Sequence, residues 1–134
     1  MLTKTVTDEQ INKAVDWWGL ALKEGPNFSY TADRYSEFEK KIIAKRLPIT
    51  DEQIAAFKDF LRQSLKAERE EMKDEPRQEL GCSADYYPSE MLWDALEAAG
   101  LRGENMTLLP SKIRFFIWDG GVQVNGREIL KIQI

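Results

Sequence analysis

Few side chains in this chain could do chemistry. Glycoside hydrolysis needs two Asp or Glu side chains, one as acid and one as base or nucleophile. Asp85, Glu90 and Asp94 could supply such a pair. They are also ordinary residues for a charged helical protein, so a small hydrolase using carboxylates alone is only an alternative reading. Cys82, the single cysteine, follows Gly81 and could act as a nucleophile. A thiol with no nearby histidine is more often inert, because the thiolate is the reactive form and nothing here stabilises it.

The absences are firmer. Histidine is missing from all 134 residues. That removes Ser-His-Asp and Cys-His nucleophilic systems, histidine general bases and histidine metal sites. One cysteine cannot build a thiolate zinc cluster or an internal disulfide. There is no GxxxxGK[ST] loop, and "GLRGEN" and "DGG" are too short to cradle a phosphate. No spaced Asp/Asn loop of the EF-hand kind occurs either. The expectation is no catalytic residue, no metal site and no cofactor.

Candidate binding residues are easier to find. In "DWWG", Trp17 and Trp18 project about 100° apart on a helix, so only one can face a core stripe. Trp18 suits the core. Trp17 belongs at its margin or anchors a partner, as exposed Trp and Tyr do at interfaces. In "DYYP", Tyr86 and Tyr87 sit beside a proline. Ahead of them runs an acidic segment with Glu68, Glu70, Glu71, Asp74, Glu75 and Glu79, interleaved with Lys66, Arg69, Lys73 and Arg77. Carboxylates there would attract a basic surface, and the tyrosines would supply a rigid anchor. The expected contact site is therefore residues 68–87, with Trp17 as a further candidate.

The elements that must position these residues are readable from pattern. Length, an apolar fraction of 43% and a charged fraction of 31% fit one domain, residues 1–134. The net charge of −4 is too mild for a non-specific nucleic-acid binder or a wholesale imitation of DNA. No stretch resembles a signal peptide or a membrane span, so a cytoplasmic protein is expected.

The pentapeptide "TDEQI" occurs at residues 7–11 and again at 50–54. Each copy has a Thr that can cap a helix, two acids in the first turn, and a Gln placed to complete a capping box. Val6 with Ile11, and Ile49 with Ile54, then form hydrophobic staples. The repeat reads as one structural signal used twice, although a duplication of about 43 residues stays open. The pattern predicts a first helix over 8–24, with Ile11, Val15, Trp18 and Leu22 inward. A second is expected over 32–46, with Tyr35, Phe38, Ile42 and Ile43 inward. A third runs from 51 to about 73 on Ile54, Phe57, Leu61, Leu65 and Met72. Glu68 interrupts that stripe, which predicts a helix leaving the core. "RQELGCSADYYP" reads as a loop, and Pro88 or Ser89 opens a short fourth helix ended by Gly100. Beyond it the period changes to two. "KIRFFIW", "VQV" and "REILKIQI", separated by "DGG" and "NG", predict a three-stranded antiparallel meander with Ile113, Phe115 and Ile117 on one face. The fold class is α+β, about four helices followed by a small C-terminal sheet.

The ending "IRFFIWDGGVQVNGREILKI", after a small charged helical body, resembles the ending of short accessory proteins of phages and mobile elements. Among these it is similar in style to anti-CRISPR inhibitors. The likeness covers about 20 residues and carries over no functional residue. The missing catalytic chemistry predicts a non-enzymatic binder, and the mild charge and lack of a long apolar run predict neither direct nucleic-acid nor membrane binding. The resemblance tilts that binder towards an inhibitor that blocks a bacterial nucleic-acid-handling complex by direct contact with protein. A structural or assembly component, in which self-association is the activity, is the remaining alternative.

Overall fold

The computed structural model describes residues 5–25, 36–43, 48–76, 78–84, 89–101, 109, 113–118, 121–125 and 127–131. Helix α1 (Asp8–Glu24) starts at Thr7, whose hydroxyl accepts from the Gln10 N–H while the Gln10 side chain accepts from the Thr7 N–H. Helix α2 is the short segment Glu37–Ile43. Helix α3 (Asp51–Glu71) repeats the capping box with Thr50 and Gln53. Strand β1 (Glu79–Gly81) precedes helix α4 (Glu90–Ala98), which Ser89 caps. Strands β2 (Phe115–Trp118), β3 (Gly121–Val124) and β4 (Arg127–Lys131) follow. The α+β class is as expected from pattern.

Helices α1, α3 and α4 bury one face of the sheet. Ile11, Ala14, Val15, Trp18, Ala21 and Leu22 of α1 and Leu92, Ala95 and Leu96 of α4 share one core with Phe57, Leu61 and Leu65 of α3, which packs against both helices. Below them lie Ile113, Phe115 and Ile117, the alternate residues predicted to share a face. Trp18 stands 5.8 Å from Phe115, ring centre to ring centre, so the helix layer and sheet meet through aromatic contact. Antiparallel α1 and α3 are stitched along one seam. Asp8 pairs with Arg69 at 2.7 Å, Asn12 accepts from Arg62 at 3.0 Å, and Asp16 pairs with Lys58 at 2.9 Å. The i, i+4 spacing along α1 keeps all three on one side of the helix.

Helix α4 closes as the sequence suggested. Gly100 has φ 75°, its N–H donates to Glu97 and the Leu101 N–H donates to Leu96. This is the Schellman arrangement, which needs a residue that tolerates left-handed backbone at Gly100. At the "NG" turn Asn125 has φ 50° and joins the paired residues Val124 and Arg127.

Four expectations are corrected. The sheet has four strands in the order β1-β2-β3-β4, all antiparallel. The extra strand lies within the expected loop: Glu79, Leu80 and Gly81 pair with Trp118, Ile117 and Phe116. Beyond it the Cys82 N–H donates to Phe115, and Ala84 bridges Ile113. A three-residue strand with a glycine has little propensity of its own, so its pairing is imposed by β2. Helix α3 also does not leave the core at Glu68. Met72 packs against the core and the Arg69 guanidinium donates to the Val6 carbonyl. Phe38, expected inward, is 73% exposed. The remaining inward candidates of that helix, Tyr35, Ile42 and Ile43, lie outside the described side chains.

The two capping glutamines differ. Among the described residues Gln53 bonds only within its own cap, but Gln10 is completely buried. Its amide donates to the carbonyls of Trp118 and Gly121, tying the start of α1 to the β2–β3 hairpin. Thr7→Ala and Thr50→Ala are each expected to cost about 1 kcal/mol by chemical denaturation. Gln53→Ala should cost less than that. Gln10→Ala should cost about 3 kcal/mol, because it strands buried carbonyls. Equal losses for the two glutamines would disprove the second role of Gln10.

Candidate functional site

The acidic segment divides into two parts. Glu70, Glu71, Asp74 and Glu75 are exposed at the C-terminal end of α3 and in the turns after it. Glu70 pairs with Lys73 at 3.1 Å, which leaves the run a net acidic ridge. Glu68 is different. It is half-buried, and the nearby backbone N–H of Gly81 in β1 favours its carboxylate form. Since Cys82 donates to β2, the Gly81 N–H points the other way, along the open edge of the sheet. Glu68 thus breaks the α3 stripe in order to cover a strand edge, a place where an unpaired N–H invites foreign strands. It is not a projecting contact residue.

Burial raises the Glu68 pKa above its ordinary value, the Gly81 hydrogen bond lowers it, and Glu71 raises it further. The direction is upward, so the folded state holds this proton more tightly than the unfolded chain. Its contribution to stability is complete below about 4.5, the ordinary value, and is lost as pH rises through the raised folded value. Asp8 behaves oppositely. The Arg69 hydrogen bond and charge lower its pKa, so its contribution is present above the ordinary value of 3.8 and is lost on acidification.

Of the other expected site residues, Trp17 is partly buried. Its ring lies 4.9 Å from Trp18 and 5.3 Å from Phe115, so it covers the sheet at the core margin rather than standing out as an anchor. It also lies about two and a half turns along α1 from Asp8, the residue that meets the acidic end of α3. The fold does not bring it to the ridge. Tyr86 and Tyr87 lie outside the described residues, as does Asp85. Glu90 is exposed in the first turn of α4 and Asp94 follows one turn later, half-buried.

Cys82 is sealed. Burial pushes its thiol up to about 12, against a weak opposing contact from the Trp18 indole, with the Glu68 charge raising it further. The buried Trp18 Nε1 has no well-formed hydrogen-bond partner among the described residues. A sulfur is a poor acceptor, so the contact leaves the buried Trp18 N–H largely unsatisfied and gives the thiolate little. The side chain fills space between helix and sheet.

The pattern reading missed a groove on the other side of the sheet. Gln78, Glu79, Phe116, Trp118 and Gln123 line a space of about 380 Å³, and register sets the last four of these on the face away from the helices. Phe116 is 40% exposed and Trp118 is half-buried there. The signal was present in "KIRFFIW", because setting Ile113, Phe115 and Ile117 inward sets Phe116 and Trp118 outward. Two aromatic residues on the solvent face of one strand are not required by the core. Among the described residues no helix is long and apolar enough to cross a membrane, and no group of three or more Cys, Asp or Glu side chains is placed to hold a metal.

Two outcomes are expected. Cys82 should fail to react with a maleimide at neutral pH in the folded protein and react stoichiometrically in denaturant. Glu68→Gln should flatten the loss of stability as pH rises above about 4.5, measured by denaturation across pH. A native protein that alkylates as fast as the unfolded chain, or an unchanged pH profile, would contradict these assignments. No family model, curated protein or solved structure matches the chain.

Proposed function

We propose that this protein is a non-enzymatic binder of another macromolecule, docking on a basic surface of a protein partner. The observation that carries this reading is the exposed ridge Glu70, Glu71, Asp74 and Glu75 at the end of α3. Arg69 is turned away from it, held by Asp8 and the Val6 carbonyl. A net acidic ridge on a rigid helix end speeds encounter with a basic surface and fixes its orientation, an effect that salt weakens. The sealed thiol argues against a cysteine nucleophile. The likeness of the C-terminal stretch to accessory proteins of phages narrows the partner to a nucleic-acid-handling complex in the cytoplasm of a bacterial host, blocked by contact in the manner of an anti-CRISPR inhibitor.

Capture from bacterial lysate, followed by kinetics on the purified partner, tests this. A stoichiometric partner is expected, with association falling as salt rises. The double change Glu70→Lys and Glu71→Lys should slow association at low salt by roughly tenfold while dissociation changes little. Homo-oligomers as the sole product would favour an assembly component instead. Turnover of a polysaccharide that Glu90→Gln or Asp94→Asn abolishes would establish the carboxylate hydrolase.

A further inference from the structure

We propose that the groove on the open face of the sheet receives a guanidinium side chain presented by a basic segment of a protein partner. The inference rests on the reading of the protein as a binder of basic protein surfaces and names the chemistry of the contact. Register places the groove residues in two rows. Glu79 stands opposite Trp118, with Gly121 on the far side of the tryptophan. In the next row Gly81 stands opposite Phe116, with Gln123 beyond it. Each aromatic ring therefore has a glycine as one neighbour across the sheet. Among the described residues, a Cβ built at Gly81 would meet only the Phe115 carbonyl oxygen, at 3.8 Å, so none of them fills the space over β1 beside Phe116.

The result is two aromatic rings with a carboxylate at one side and an amide at the other. Aromatic faces attract cations through the ring quadrupole, and arginine does so most often because its planar group also stacks. Glu79 is exposed and is the one charged residue among the described residues that line the groove. It offers the carboxylate that a guanidinium binds with two parallel hydrogen bonds, and the Gln123 carbonyl oxygen could accept a further one. Phosphate would be repelled by Glu79, so a nucleic acid fits this groove poorly. Covering glycines with aromatic rings is a known way of protecting a sheet, and it accounts for rings at these positions. It does not require a carboxylate beside Trp118, nor does it close the groove. The ridge lies immediately ahead in the chain, with Asp74 and Glu75 only a few residues before Glu79. A basic segment drawn to the ridge would reach the groove next.

The test is a titration of the isotope-labelled protein with a short arginine-glycine peptide, read by nuclear magnetic resonance. The Trp118 indole N–H is assigned by its loss in Trp118→Phe. The Trp118 indole and the Gln123 side-chain amide should shift with the peptide, and the indole of Trp93 on α4 should not. Glu79→Gln should weaken binding by roughly tenfold, and added salt should weaken it further. A lysine-glycine peptide should bind more weakly, and a glutamate-glycine peptide or oligothymidylate should not move these signals. No shift at Trp118, an equal response to the lysine peptide, a response to the oligonucleotide, or signals that move only with protein concentration would each overturn the assignment. Failure here is separable from failure of the broader reading. Partner capture that depends on Glu70 and Glu71 without any peptide reaching Trp118 removes the groove alone. Arginine-peptide binding at Trp118 with partner capture indifferent to the ridge removes the ridge alone.

Discussion

Two buried glutamine side chains hold the layers of this protein in register. Gln78 accepts from the Val6 N–H at 2.7 Å and donates to the carbonyls of Arg69 and Met72 at 3.3 and 3.5 Å. It therefore closes the C-terminal end of α3, where backbone carbonyls run out of helical partners, and fastens the chain entering α1 to it. Gln10 does the corresponding work at the other side, completing the α1 cap and donating to Trp118 and Gly121. A buried amide is tolerated only when its hydrogen bonds are made, and both of these amides are partnered at oxygen and nitrogen. Apolar packing supplies the driving force. The glutamines select one arrangement of helix ends and strands from those that packing alone would permit.

The seam between α1 and α3 adds orientation more than energy. Its Asp partners are exposed while Lys58 and Arg69 are partly buried, and ion pairs with one partner in water contribute little after screening and side-chain ordering. Their value lies in position. Arg69 is held by both Asp8 and the Val6 carbonyl, so it does not neutralise Glu70 and Glu71 on the outer side of the same helix end. Glu68, one residue earlier, turns inward to the Gly81 N–H. Three consecutive charged residues, 68–70, thus take three tasks: covering a strand edge, tying two helices, and facing solvent.

Local signals were legible where the physics is local. The capping boxes, the α1 and α3 stripes, the Schellman end at Gly100 and the alternation of Ile113, Phe115 and Ile117 follow from residue type and spacing, and the structure has them. Strand β1 was not legible, because Leu80 is the one apolar residue in a three-residue strand and pairing with β2 supplies what propensity does not. Glu68 was visible as a break in a stripe, but a break has two physical causes. The helix can leave the core, or a polar group can find a buried partner. Only the position of Gly81 decides between them. Gln10 was read correctly as a cap residue, and its second set of bonds depends on a hairpin more than one hundred residues away. As for the candidate site, the exposed part of the acidic run was read from sequence. The groove was implicit in the outward parity of Phe116 and Trp118 and passed unread, because the inward residues of the same strand accounted for the pattern.

The groove is built on residues tied into the hydrogen-bonded frame of the fold. Gln78, which lines it, is the residue that fastens the α3 end to the chain entering α1. Trp118, which gives it a ring, has its carbonyl bonded by Gln10. Glu79 lies in the strand whose edge Glu68 covers. A binding face on such residues is ordered before any partner arrives, so little side-chain and backbone freedom is left to lose on docking. The ridge has the opposite character: long acidic side chains in water, suited to attraction at a distance and weak in contact. One chain segment, running from the end of α3 into β1, therefore passes from residues that govern encounter to residues that can hold what has been encountered. The turn joining them is fixed by a buried amide.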